Sequence, residues 1–216
     1  MDTKNLFALA EADDVEGLSA ALAGAPETWR LRNESGESLY LFSVFRGRTK
    51  CAELLKRRGG FSLHEAALAG DLARVEELAK AAPPIVDLLS PDGWTALHLA
   101  AFFGHDAVTL RLLELDASAR IQSRAMEQNL PLHAACAGRR TGTKAFAALI
   151  AATGDPDALQ KQGYTALMIA AGNGFTEAVE ALLAAGADRT KKTPDGKTPA
   201  DLARERGHAE LAKRLG

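Results

Sequence analysis

Asp92-Gly93-Trp94-Thr95-Ala96-Leu97-His98-Leu99-Ala100-Ala101-Phe102-Phe103-Gly104 is a stretch that recurs in altered form along the whole chain. A clear copy lies at residues 163–174, and partial copies lie at residues 62–70 and 130–136. Recurrence at a nearly fixed period indicates a stacked-repeat architecture, in which each unit buries its apolar face only against its neighbours. Because such scaffolds usually bind other macromolecules, the pattern favours a binding function over a catalytic one.

The period of the repeat comes from the residues equivalent to Leu97. Successive intervals between these residues are 34, 23, 34, 35, 35 and 33 residues. Five of the six intervals match one helix-turn-helix unit of about 33 residues. The equivalent residues are Leu6, Tyr40, Leu63, Leu97, Leu132, Leu167 and Ala200.

A family resemblance follows from the central motif. The stretch Thr95-Ala96-Leu97-His98-Leu99-Ala100-Ala101 resembles the Thr-Pro-Leu-His-x-Ala-Ala hallmark of the ankyrin repeat family. The resemblance implies an all-α fold, an ankyrin-type helix-turn-helix solenoid with short β-turn fingers. We expect a single ankyrin-repeat domain over residues 1–216 with a degenerate first pair of repeats. The seven repeats are expected at about 3–35, 36–59, 60–92, 93–128, 129–162, 163–195 and 196–216.

The sixth repeat shows why the residues themselves predict paired helices. Thr165 is suited to capping a first short helix through its side-chain oxygen, and Gly174 is suited to ending it. Apolar residues at helical spacing predict a second helix over residues 176–183. Gly186 then stops that helix, and the Pro-Asp-Gly sequence at 194–196 predicts a turn into the next unit.

Four departures from the repeat pattern carry further predictions. The 23-residue interval between Tyr40 and Leu63 predicts that the finger between repeats two and three is missing or very short. The prolines at 83–84 predict the end of the second helix of repeat three. Residues 138–144 form a basic, glycine-containing insertion, two residues longer than the corresponding segments of the neighbouring repeats. The polar last repeat is typical of a terminal cap, because one of its faces meets water.

Composition narrows the compartment and the class of partner. The chain has no run of about 18 apolar residues, which a membrane-spanning helix needs, and its acidic N-terminus lacks the features of a signal peptide. We therefore expect a cytoplasmic protein without a membrane partner. A net charge of −2 gives no nucleic-acid footprint, and the basic cluster within 46–58 is read as a solvated surface or as a field that orients a charged partner. High alanine, arginine and leucine content is compatible with a bacterial source.

The positions of the histidines and cysteines favour structural roles over metal binding or catalysis. His64, His98 and His133 occupy the same position of successive repeats, where the resemblance implies hydrogen bonds between repeats. Cys51 and Cys136 are far apart in sequence and are expected in the core. Spacings typical of zinc sites, nucleophile elbows and phosphate loops are absent from the sequence. We expect no cofactor, no metal and no enzymatic activity.

The aromatic residues provide the candidate binding site. In ankyrin-like proteins, the residue after the finger glycine and the two before the inter-helix glycine usually face the concave groove and contact the partner. Six of the twelve aromatic residues occupy such positions, and exposed aromatics serve recognition well. The candidate partner-binding residues are Phe45, Arg46, Phe61, Trp94, Phe102, Phe103 and Tyr164.

An alternative for part of this set is packing against neighbouring repeats. It applies to Phe45, Phe61 and Phe103, especially beside the shortened second repeat. Trp29 and Tyr40 are expected to fill the core of the degenerate repeats.

The leading hypothesis is a non-enzymatic protein–protein interaction module, an adaptor or scaffold, that binds a protein partner through the concave groove of repeats two to five. The alternative is a dedicated inhibitor or immunity protein of one cognate enzyme or toxin. A third hypothesis is a small hydrolase or ligand-binding protein with a pocket around His133, Arg139 and Arg140. A nucleic-acid partner is not expected, and we expect a monomer.

Overall fold

The chain is composed of α-helices. A computed structural model describes residues 3–24, 30–124, 127–138 and 143–216. Within those residues there are fourteen α-helices and no strand, and Arg32 and Ser38 form an isolated β-bridge. The predicted all-α class is therefore confirmed. The chain divides into two compact units, Met1–Glu65 and Ala66–Gly216, and the single domain over 1–216 stays a prediction.

Unit 1 contains two helix pairs that pack on each other. The first helix of each pair packs on the first of the other, and the second helices pack likewise. Between the pairs, the Asp13 carboxylate accepts a hydrogen bond from the Cys51 backbone N–H at 2.9 Å, and thereby caps the second pair's last helix. The helices are α1 Thr3–Glu11, α2 Val15–Gly24, α3 Leu39–Phe45 and α4 Thr49–Lys56, and α5 Leu63–Ala69 spans the division between the units.

Unit 2 continues the same arrangement in two layers. The first helices of successive pairs, α7, α9, α11 and α13, pack side by side, and α6, α8, α10 and α12 form the second layer. A short 3-10 helix, Pro83–Asp87, follows α6. The α-helices are α6 Leu72–Ala81, α7 Ala96–Phe103, α8 Asp106–Glu114, α9 Pro131–Ala137, α10 Thr143–Thr153, α11 Ala166–Gly172, α12 Thr176–Ala184, α13 Pro199–Glu205 and α14 Ala209–Leu215.

The first helix of several pairs begins at a hydroxyl cap. The Thr165 hydroxyl accepts a hydrogen bond from the Met168 N–H at 3.2 Å, as the sequence predicted. Thr95 and Thr198 cap α7 and α13 in the same way. At the other end of α7, Gly104 adopts a left-handed conformation with φ of 72°, which glycine reaches without steric cost. These local signals fix where the repeat's first helix starts and stops.

The fingers are tight turns that return the chain to the next pair. In the finger before α7, the Ser90 N–H donates to the Trp94 carbonyl at 2.7 Å, and the Gln160 N–H donates to the Tyr164 carbonyl before α11. Between α4 and α5 only six residues are available, whereas fourteen separate α6 from α7. The short connection that the sequence predicted there is confirmed.

Further sequence predictions concern the end of α6, the insertion of repeat five, Trp29 and Tyr40. Helix α6 ends at Ala81, directly before Ala82 and the prolines, as expected. The insertion of repeat five lies between α9 and α10, and its residues 139–142 lie outside the described residues, as does Trp29. Tyr40 is buried in unit 1, as predicted.

One buried hydroxyl in unit 2 allows a stability prediction. Thr109 in α8 is 0% exposed, and its Oγ1 has no hydrogen-bond partner among the described residues. An unsatisfied buried hydroxyl costs about 1–3 kcal/mol. We expect Thr109→Val to raise the free energy of unfolding by about 1 kcal/mol, measured by urea denaturation followed by circular dichroism.

The same substitution at Thr165 is the matched control. Thr165 is equally buried, but its hydroxyl caps α11. We expect Thr165→Val to lower the free energy of unfolding by about 1 kcal/mol, because loss of an N-cap leaves a backbone N–H unpaired. A loss of stability in both variants would show that the Thr109 hydroxyl is not a cost to the fold.

Candidate partner-binding surface

Three of the predicted aromatic residues lie together in unit 2. The ring of Trp94 meets Phe102 edge-on, with centroids 5.8 Å apart, and Phe102 meets Phe103 in the same way at 5.1 Å. All three side chains keep part of their surface accessible. Edge-to-face contacts between rings add about 0.5–1.5 kcal/mol to simple burial, so the three rings support one another. We refer to Trp94, Phe102 and Phe103 as the aromatic cluster.

The cluster is positioned by both ends of α7. Trp94 directly precedes the capping residue Thr95, and its carbonyl closes the finger turn. Phe102 and Phe103 are the last two residues of α7, directly before Gly104. The length of α7 therefore sets the distance between the finger and the inter-helix turn. The rings of Trp94 and Phe102, from the two ends of the helix, meet over its surface.

A buried histidine supports the cluster from below. His98 in α7 is 0% exposed, and its ring lies edge-on to Trp94 at 5.6 Å. Its Nδ1 faces the N–H and hydroxyl of Thr95, so the ring proton is on Nε2, which donates to the Asn129 carbonyl at 2.8 Å. This bond joins α7 to the connection before α9. The resemblance implied such bonds, and the structure contains this one.

His133 repeats the arrangement one helix pair later. Its Nδ1 accepts from the Leu130 N–H at 3.1 Å, and its Nε2 donates to the Ala158 carbonyl at 3.0 Å. Burial lowers the pKa of His98 to about 4 and also lowers the pKa of His133, because the charged imidazolium would lose its hydration. Both rings are therefore neutral structural groups at neutral pH.

Phe45 and Arg46 lie in unit 1 and have different surroundings. Phe45 is 41% exposed at the end of α3. The Arg46 guanidinium lies over the Phe42 ring, 4.1 Å from its centroid, and is 3.6 Å from carboxylate oxygens of both Glu11 and Glu37. Arg46 thus already has intramolecular partners, and its role in binding stays a prediction.

The two remaining predicted residues, Phe61 and Tyr164, differ in how far they are exposed to solvent. Phe61 is 2% exposed and stacks on Tyr40 with centroids 4.6 Å apart, which places it in the core of unit 1. Because it is buried, Phe61 is not included among the residues proposed to contact a partner. Tyr164 is partly exposed after the finger glycine Gly163, in unit 2.

The structure adds residues that the sequence analysis did not select. In the next two pairs the positions equivalent to Phe102 and Phe103 hold no aromatic residue: they are Ala137 and Gly138, and then Gly172 and Asn173. In the last pair, Arg206 occupies the position equivalent to Phe103. Its Nη1 donates to the Asn173 Oδ1 at 3.0 Å. The same alignment applied to every repeat would have identified these residues.

The described residues contain little that suggests catalysis. No group of three or more metal-binding side chains is found among them. Cys51 and Cys136 are both buried, and burial raises the pKa of the Cys136 thiol, so it is a poor nucleophile. Of the pocket suggested around His133, Arg139 and Arg140, the two arginines lie outside the described residues, and His133 is buried and hydrogen-bonded.

The repeated helix pairs, their hydroxyl caps and the turns between them define the class, a helix-turn-helix repeat protein. A family model described as ankyrin repeats (three copies) matches residues 63–150 and also residues 132–216. These two matches cover more than half of the chain, so the chain belongs to the ankyrin repeat family. Ankyrin repeats are generally protein–protein interaction modules.

Several curated proteins are similar to this chain. The tyrosine-protein kinase Shark of Drosophila melanogaster is 33% identical over 154 residues, which are 71% of this chain and 16% of the kinase. The Notch-regulated ankyrin repeat-containing protein of Homo sapiens is 35% identical over 41% of this chain and 82% of that protein. The nuclear factor NF-kappa-B p105 subunit of Gallus gallus is 35% identical over 62% of this chain and 14% of that protein.

The coverage limits what these relatives imply. The chain spans about a sixth of the kinase, and a similar share of the p105 subunit. All three relatives come from animals, and the bacterial source expected from composition stays a prediction. None of the helices in the described residues is long and apolar enough to cross a membrane.

Proposed function

We propose that this protein is a non-enzymatic interaction module, an adaptor or scaffold, that contacts a protein partner through the aromatic cluster of unit 2. The observation that carries the proposal is the contact between three partly exposed rings, one directly before the cap of α7 and two at its last residues. Aromatic residues are enriched among the hot spots of protein interfaces, because they bury a large area with few rotatable bonds. Tyr164, at the corresponding finger position two pairs later, extends the proposed surface.

The packing around the cluster supports this use. The side-chain donors and acceptors of His98 are already paired inside the fold, so the Trp94 ring packs against a side chain that is itself held in place. A rigid surface loses little conformational entropy when a partner binds. The proposed site lies entirely within unit 2.

The test is affinity capture of proteins from the native host, identified by mass spectrometry. We expect the variant Trp94→Ala/Phe102→Ala/Phe103→Ala to lose the captured partner, with an affinity at least about 30-fold lower, since one hot spot contributes about 2 kcal/mol or more. The control is Leu159→Ala, which removes an apolar side chain that is 52% exposed outside the cluster. Circular dichroism and urea denaturation establish that each variant is folded.

The outcomes separate the alternatives. An unchanged set of captured proteins with the folded triple variant would refute binding through the cluster. Capture of one enzyme in equal amounts, inactive until released, would instead favour the dedicated inhibitor. A cytoplasmic location and a monomeric state complete the proposal, and fractionation and analytical ultracentrifugation test them.

A further inference from the structure

The surface beside the aromatic cluster changes character from one helix pair to the next. At α7 it presents Phe102 and Phe103 and at the end of α9 Ala137 and Gly138, whereas Gly172 at the end of α11 is buried. Large rings beside small residues leave a step between the ends of α7 and α9. From α11, the Asn173 side chain reaches the end of α9, where its Nδ2 donates to the Cys136 carbonyl at 2.9 Å. We refer to this step, with the aromatic cluster as its wall and Ala137 and Gly138 as its floor, as the depression.

Gly138, in the floor, lies very close to the backbone of Phe102 in the wall. A Cβ atom built on Gly138 would lie 2.0 Å from the Phe102 carbonyl oxygen. No larger residue fits there without moving the α7 backbone, so the absence of a side chain is required by the packing. The depression is thus a consequence of the close approach of α7 and α9.

A guanidinium group lies at the far side of this depression. A Cβ atom built on Gly172 would be 3.5 Å from the guanidinium carbon of Arg206, which places that group over the end of α11. The hydrogen-bond acceptor of Arg206 is the Asn173 amide, not a carboxylate. The neighbouring Glu205 is ion-paired with Lys197 at 2.7 Å. The positive charge of Arg206 is therefore not neutralised within this group of side chains.

The distance across the depression follows from helix packing. Packed helices lie about 8–10 Å apart, so two steps, from α7 to α9 and from α9 to α11, span about 16–20 Å. An extended peptide advances about 3.3 Å per residue. Five or six residues of an extended chain would therefore reach from the cluster to the Arg206 guanidinium.

We infer that unit 2 binds an extended segment of a protein partner that carries a bulky apolar residue and, about five or six positions away, an acidic residue. The apolar side chain packs on the aromatic cluster, the intervening backbone crosses the floor at Ala137 and Gly138, and the carboxylate pairs with Arg206. This inference rests on the proposed function and specifies the chemistry of its partner. A planar guanidinium suits this task, because it can donate two hydrogen bonds to one carboxylate.

The test uses random twelve-residue peptides displayed on phage and selected on the purified full chain. Three variants are selected in parallel: Arg206→Glu, the triple alanine variant of the cluster, and Arg189→Glu. The last is the matched control, because it reverses the charge of another exposed arginine of unit 2. For the wild-type chain and the control we expect peptides with the apolar residue and the acidic residue at the stated spacing. For Arg206→Glu we expect the acidic preference to disappear or become basic.

A synthetic peptide from the selection gives the quantitative arm. Replacement of its acidic residue by the corresponding amide should weaken binding to the wild-type chain about three- to fivefold, as for an exposed ion pair. With Arg206→Glu the same replacement should leave binding unchanged or strengthen it, because it removes a like charge. The difference should shrink in 1 M salt, where charges are screened within about 3 Å.

The possible failures are distinguishable. Apolar enrichment without an acidic preference, or the same preference with Arg206→Glu, overturns the inference and leaves the proposed function standing. If no selected peptide depends on the cluster, the inference is also overturned. The capture experiment with the triple variant then decides independently whether the cluster binds a folded partner.

Discussion

Substituting Gly138 by alanine is expected to lower the free energy of unfolding by about 3 kcal/mol. The new Cβ would lie 2.0 Å from the carbonyl oxygen of Phe102 and 2.7 Å from its carbonyl carbon. These are backbone atoms of α7, which cannot rotate away as the end of a flexible side chain can. The α7 and α9 helices must therefore separate, and the packing between them is weakened. Urea denaturation followed by circular dichroism measures the change.

Gly172→Ala is the control for this prediction. Gly172 is buried at the end of α11, but the nearest atoms to its added Cβ are 3.5 Å away, in the Arg206 side chain. Alanine is favoured over glycine in a helix by about 0.5–1 kcal/mol, so this variant should be as stable as the wild type or slightly more so. Equal losses of stability in both variants would mean that the contact between Gly138 and Phe102 does not limit the packing.

The second large effect is a loss of stability at mildly acidic pH. The pKa of His98 is lowered to about 4 by burial, from an ordinary value of 6.5. Between these values the unfolded chain binds a proton that the folded chain does not bind, so the free energy of unfolding falls as the pH falls from 6.5 to 4. For His98 alone the loss is about 3 kcal/mol, and His133 adds to it in the same direction. Urea denaturation at several pH values between 7 and 4.5 measures the slope.

Removing the titrating groups should flatten this dependence. His98→Asn is expected to be less stable at every pH, because it loses the bond to the Asn129 carbonyl. Its slope with pH should nevertheless be smaller by about one proton, and the double variant with His133→Asn should have a smaller slope still. The pKa of Asp201 is lowered to about 2 by hydrogen bonds from Thr198, so its protonation lies below the measured range. An unchanged slope in the double variant would contradict the assignment to these histidines.

Much of the fold was predictable because its signals are local. The cap at Thr165, the turn before α13 and the end of α6 at the prolines depend on residues within a few positions of one another. Such signals act on the backbone through sterics and nearby hydrogen bonds, and they are visible in the sequence. The short connection between α4 and α5 follows in the same way from the interval between two repeats.

The candidate surface was predictable only in part. Position within the repeat selected Trp94, Phe102 and Phe103, and the structure brings their rings together. The same rule selected Phe61, whose ring stacks on Tyr40 in the core of unit 1. The position in the repeat predicts where a residue lies in its helix pair. Its burial depends also on the side chain that the preceding repeat packs against it, which is Tyr40 in the case of Phe61.

The sequence by itself determined the class of fold, the period and the pairing of helices, because these arise from local spacing that every repeat shares. Only the tertiary structure decided which aromatic residues stay accessible, why Gly138 must lack a side chain, and where the Arg206 guanidinium lies. The physical reason is that these properties depend on the distance between helices far apart in the chain. The close packing of α7 on α9, of α9 on α11 and of α11 on α13 sets that distance.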